Sequence, residues 1–230
     1  MGFRKVLGLA AVAAAAGIAV AGCAPVKMGS AAIVGSSSVS IAQLDTEAGQ
    51  LATGVKKYSK LVNLSQQQIT QETLSWLIRF QIAEQVASQN GITVTAAQAT
   101  SAWNQIYQSA KAQAQQSGVT NVTPELILVA NGIPPNKEQE LGRYQAIEDA
   151  YLTSANGGTL PASGSSQATT AENQYSHATC QAAKSLNIRV NPQFGRLNYT
   201  EYSVVATSNT VSLPSGTKPS ASPSGLSPSC

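Results

Sequence analysis

Three times in the first half of the chain a hydroxyl residue is followed three positions on by glutamine. Each time a helix-spaced apolar run begins: Ser40 with Gln43, Ser65 with Gln68, and Thr95 with Gln98. In this pattern the hydroxyl oxygen accepts from the helix's third backbone amide, while the glutamine oxygen accepts from the amide of the capping residue. A chain that restarts helices this way is committed to a mostly helical body.

The first run places Ile41, Leu44, Ala48, Leu51, Val55, Tyr58 and Val62 at intervals of three and four, a single apolar stripe. The second, over 65–90, carries Leu74, Trp76, Leu77, Ile78, Phe80, Ile82 and Val86, more than one stripe can hold. Such a helix is expected at the centre of a bundle, and Gly91 ends it. The third, over 96–117, carries Trp103, Ile106, Tyr107 and Ala110 and stops at Gly118. Thr123-Pro124-Glu125 supplies a cap, a first-position proline and a first-turn acid for a short helix over 125–131. After Pro134-Pro135 a fifth helix is predicted over 136–152, with Leu141, Tyr144, Ile147 and Tyr151 on one side. A weaker sixth follows over 170–186.

Short β-rich pieces lie at either end of these helices. Ala31 to Val34 reads as a strand halted by Gly35 and a serine cluster. Ile188-Arg189-Val190 reads as another, followed by a turn over 191–195 and a further extended piece over 202–205. Two such strands flanking a helical body close it most economically by pairing with each other, so Ile33 and Val190 are expected side by side. The fold class expected is mostly α: five to six helices closed by a small two-stranded β pairing of N- and C-terminal segments.

The first 23 residues carry a different message. Arg4 and Lys5 precede an apolar run from Val6 to Ala21, shorter than the roughly 20 residues a membrane-spanning helix needs. The run ends in Val20-Ala21-Gly22-Cys23, small residues around a cleavage point. It resembles the lipobox of bacterial lipoproteins, in which the cysteine becomes the acylated first residue. The alternative is an ordinary secretory signal with a chance cysteine. The lipobox reading divides the chain into a signal peptide (1–22), a lipidated spacer (23–30) and a helical body (31–153). A flexible Gly/Ser linker (154–168), a closing helix with strands (169–206) and a disordered Ser/Pro-rich tail (207–230) follow. It implies a protein held at the cell membrane by acylated Cys23 and facing the extracytoplasmic side.

Export also bears on Cys180 and Cys230, which would then lie in a compartment that permits disulfides. They can bridge each other, pair between molecules or remain free thiols, and spacing alone does not choose.

Composition removes several functions. Only 11% of residues are charged, and loss of Arg4 and Lys5 with the signal would bring the formal +3 to about +1. With no cluster of five basic residues, a nucleic-acid partner is not expected. His177 is the single histidine. Its His-x-x-Cys spacing with Cys180 offers two metal ligands where about four are needed, so no metal site is expected. No Gly-x-Ser-x-Gly elbow opens a helix, and Gly157-Gly158 lacks the preceding strand of a phosphate loop. Glu138 with Glu140, and Glu148 with Asp149, read as solvated helix faces. Neither a catalytic group nor a cofactor is expected.

Ala32-Ile33-Val34-Gly35 followed by Val39 to Asp45 resembles the opening strand and first helix of the SurA/PrsA family of extracytoplasmic chaperones. The long helix from Leu74 to its Gly91-Ile92 turn is similar as well, and so is the closing stretch Leu186 to Gly195 with its Asn191-Pro192 and Phe194. Many members insert a parvulin-type prolyl isomerase domain between body and closing helix. Here that interval is the linker at 154–168, and the cluster of histidines that a parvulin site presents is missing. The resemblance therefore implies a SurA N-terminal-like body without the isomerase, holding unfolded or extended segments of exported proteins. Trp76, Phe80, Trp103 and Tyr107 are the candidate client-binding residues, with burial in the core as their alternative role. A structural or adaptor lipoprotein for one envelope protein is the other function considered.

Overall fold

The computed structural model describes residues 29–207. Cys23, Cys230, the signal segment and the tail from 208 onward lie outside the described residues. Two strands, six helices and three further strands follow in order. They are β1 (Ser30–Val34), β2 (Ser37–Ser40), α1 (Ile41–Lys57), α2 (Gln66–Gln89), α3 (Ala96–Gln116), α4 (Pro124–Ala130), α5 (Glu138–Ala155), α6 (Ser166–Ser185), β3 (Arg189–Val190), β4 (Arg196–Asn198) and β5 (Ser203–Val205).

The mostly α fold and the closing pair are as expected. Ala32 lies opposite Val190 and Ile33 opposite Arg189, antiparallel. The sheet is larger than two strands, in the order β2-β1-β3, because the serine cluster after Gly35 continues as β2. Gly35 makes that hairpin possible: its φ of +61° suits glycine, and its amide donates to the Leu186 carbonyl at 2.6 Å. Asn191 fastens the other side. Its backbone amide donates to Ala31 O (2.8 Å), its side-chain amide to Ser30 O (3.2 Å), and its side-chain oxygen accepts from Gln193 N (3.2 Å).

β1 is buried along its whole length, among Leu74, Leu77 and Ile78 of α2 and Ala182 and Ala183 of α6. The sequence places α2 centrally, and it packs against α1, α5, α6, β1 and β5. On one side α1 and α4 meet through Leu51, Val55 and Val129. On another, α3 and α5 approach through small residues, Ala99 and Ala102 against Ala146, with Gly142 at the tightest point. The β4–β5 hairpin is pinned to α2 by Ser75, whose hydroxyl accepts from Val204 N (2.7 Å) and donates to Gln71 O (2.6 Å).

Both glutamine capping boxes at α2 and α3 form completely. At α1 only the first half does: Ser40 Oγ accepts from Gln43 N (3.0 Å), but Ser40 is also the last residue of β2, opposite Ser30. Helix α1 ends at Lys57 rather than near Val62, although Val62 is still buried. The Gly/Ser stretch at 154–168 divides: its first residues finish α5, and Ser165 caps α6 by accepting from Ala168 N (3.0 Å). Only 156–165 connects the two helices, which then pack through Tyr151 and Tyr175.

Candidate functional site

Residues four apart on a helix lie on one face, and α2 uses that spacing to set Phe80 beside Trp76, ring centroids 5.6 Å apart. From α5, Tyr144 meets both rings edge-on, at 5.9 Å from Trp76 and 6.2 Å from Phe80. This is the arrangement aromatic quadrupoles favour. The Trp76 indole N–H donates to the Asn131 carbonyl (3.0 Å), and the Arg79 guanidinium lies 4.9 Å over its ring. Arg79 is itself held by donating to Glu201 O (3.1 Å). Trp76, Phe80 and Tyr144 are all half-buried, so each ring keeps an outward edge above a floor of Leu128, Ile133 and Leu141.

The second expected pair joins the same cluster from α3. Trp103 and Tyr107 stack at 6.3 Å, and the Tyr107 hydroxyl donates to Val122 O (3.2 Å). They differ in access. Trp103 is 7% exposed because Gly142 lets α5 close over it, whereas Tyr107 is half-buried with the Lys111 ammonium 5.7 Å from its ring centre. Trp103 is thus part of the floor, and the accessible members are Trp76, Phe80, Tyr107 and Tyr144. Tyr144 belongs to the apolar stripe of α5, but nothing in its local sequence pointed to two rings on a distant helix.

Beside this strip Tyr144 and Glu148 of α5 and Tyr175 of α6 are poorly solvated. Burial raises the Tyr144 and Tyr175 hydroxyls above their ordinary values. Glu148 is raised too, first by burial and then by Asp149 and Glu172. The solvated face expected for Glu148 and Asp149 therefore holds for neither in its simple form. Glu148 turns into a half-buried position, and Asp149 accepts from the Gln145 side chain (3.0 Å). Glu138 and Glu140 do lie in the first turn of α5, where negative charge complements the helix dipole.

Three ion pairs, made by two cations, lock the frame around the site. Lys137 reaches Glu47 of α1 (2.8 Å) and Glu140 (3.0 Å), with Glu47 itself 7% exposed. Burial pulls the Lys137 ammonium down, but its bonds to Glu47 and Glu140 outweigh this and hold it above its ordinary value. Arg143 forks onto both carboxylate oxygens of Glu84 and also donates to Val94 O (2.7 Å), tying α5 to α2 and to the turn before α3.

His177 is exposed on α6 and lines an open recess with Tyr151, Thr170, Asn173 and Gln174. Cys180, one turn further, is disulfide-bonded; it is the one cysteine among the described residues, and Cys230 lies outside them. Among the described residues no group of three or more His, Cys, Asp and Glu is placed to hold a metal, and no helix is long and apolar enough to cross a membrane. Comparison with known proteins finds no matching family model, no similar curated protein and no similar solved structure.

Proposed function

We propose that this chain is a membrane-anchored extracytoplasmic lipoprotein of holdase type, binding unfolded or extended segments of exported proteins without isomerase activity. The observation that carries the reading is the aromatic strip: three rings from two helices, partly exposed and held by packing from behind. Apolar side chains that cluster with solvent access commonly mark a partner site when they form a large patch. Rings fixed by packing and by the Trp76–Asn131 bond lose little freedom on contact. The lipobox at Cys23 supports the location, and tethering would raise the local concentration of a weak binder where chains emerge.

The test is aggregation of a chemically unfolded client, with and without the protein at low molar excess. Suppression is expected, together with no acceleration of prolyl isomerisation in a model peptide. The doubly substituted Trp76→Ala/Phe80→Ala chain should lose most of the suppression while keeping its helical circular dichroism. A pull-down returning one stoichiometric envelope protein, in place of a spread of exported chains, would support the adaptor function instead.

A further inference from the structure

The two outer strands of the three-stranded sheet are unlike each other. β3 is two residues long, includes Arg189 and runs into Asn191-Pro192. Shortness, charge and proline are the devices by which proteins close an edge to further strands. β2 has none of them except modest length. It reads Ser37-Ser38-Val39-Ser40, and Ser37 and Ser38 are exposed.

Along an antiparallel ladder, pairs that exchange two hydrogen bonds alternate with pairs that exchange none. The two-residue turn Gly35-Ser36 is closed by Val34 opposite Ser37, the exchanging kind. Ser38, opposite Ile33, therefore directs its N–H and C=O away from β1. Behind it β1 is wholly buried, so the edge is already formed and little ordering is needed for another strand to add.

Next to this edge is a cavity of about 60 Å³. Val34, Val39 and Leu77 give it an apolar wall, and Ser38, Gln43 and Gln81 a polar mouth. No charged residue lines it. Leu77 and Gln81 each follow a member of the aromatic strip by one residue, which places the cavity about 100° further round α2.

We infer that β2 accepts an extended, uncharged polypeptide segment as a fourth strand, with one small apolar side chain of that segment seated in the cavity. Three features select this occupant. The outward groups of Ser38 bond to main chain, which fixes extension rather than sequence; the lining offers no counter-charge; and the cavity suits a small aliphatic side chain. In strand addition the backbone bonds supply affinity, and alternate-side-chain pockets supply preference. The inference rests on the holdase reading for its class of partner, but it uses a different surface from the aromatic strip.

A capped peptide of alternating serine and valine, titrated into the full-length chain, tests it. Amide resonances of Ser37 to Ser40 and side-chain amides of Gln43 and Gln81 should shift. The same peptide N-methylated at alternate amides should bind roughly ten-fold more weakly, the cost of one or two lost backbone bonds. Ser38→Pro, which deletes the outward N–H at an edge position that tolerates proline, should match that loss. Ser38→Lys, which leaves the backbone intact, provides the control should the proline variant fail to fold, and is expected to weaken binding as well. Equal binding by the N-methylated peptide, undiminished binding by Ser38→Lys, or shifts confined to Trp76, Phe80 and Tyr144 would overturn the inference. If the peptide binds Ser38→Lys undiminished while the chain still suppresses client aggregation, strand addition fails and the holdase reading stands. Peptide binding at β2 without any suppression of aggregation gives the reverse.

Discussion

Gly142 faces the carbonyl of Ala99 so closely that a β-carbon added there would stand 2.2 Å from that oxygen and 2.9 Å from the Trp103 Cβ. Alanine is the better helix former by about 1 kcal/mol, so propensity alone favours Gly142→Ala. The obstruction is backbone, which cannot swing aside, and forcing helices apart in a packed core costs on the order of 1–3 kcal/mol or more. The expected outcome is a net loss of stability in urea titration, with Trp103 becoming more accessible to a fluorescence quencher. A neutral or stabilising effect would mean α3 and α5 are not in this close contact.

The Lys137–Glu47 pair predicts an asymmetry between single and double substitutions. Lys137→Met leaves Glu47 buried and without its cation, which costs roughly 3–5 kcal/mol in comparable buried pairs. Glu47 Oε2 already lacks a hydrogen-bond partner, so no second donor is at hand. Glu47→Leu combined with Lys137→Met should recover most of that loss, since both charges then go together. Chemical denaturation of the three variants measures the coupling.

Glu148 should make stability depend on pH in the direction opposite to an ion-paired carboxylate. Its folded value lies above the ordinary 4.5 because burial disfavours the charged form. The folded state therefore holds the proton more tightly than the unfolded chain does. The stabilising effect is full below the unfolded value, and it is lost as pH rises through the folded one. Glu148→Gln is expected to raise Tm at about pH 7 by roughly 2–4 °C, corresponding to about 1 kcal/mol. Near pH 4 the same substitution should have little effect. A shift of equal size at both pH values would refute the assignment to burial.

Ser75→Ala removes the acceptor for the buried Val204 amide. An orphaned buried donor costs about 1–3 kcal/mol. The damage should be local, so amide exchange in β5 and β4 is expected to quicken well before that in β1, whose ladder does not involve Ser75.

Helix starts were readable wherever the signal was local. Ser65 with Gln68 and Thr95 with Gln98 form their boxes because every partner lies within one turn. β2 was not readable, since a run of serines has no alternating pattern. It is a strand because Gly35 turns the chain back along β1. The start of α6 was hidden by composition: a Gly/Ser-rich stretch looks the same whether or not one of its serines caps a helix, as Ser165 does. Within the candidate site the pairs Trp76–Phe80 and Trp103–Tyr107 were visible as four-residue spacings. Their merging into one cluster through Tyr144, and the burial of Trp103, depend on how α3, α5 and α2 pack, and periodicity within one helix does not encode that.

Asn191 donates to a carbonyl 161 positions earlier in the chain, and the strand it secures is the innermost of the sheet. Such distant pairings form late, because the loop they close must be ordered first. A chain emerging from its N-terminus can pair Ala31 to Val34 with β2 at once, but the other edge of that strand stays open until residue 190 has followed. The expected order of assembly puts the helices and the β1–β2 hairpin first and the β3 pairing last. Any truncation that removes β3 would leave a nearly complete helical bundle unable to seal its own first strand.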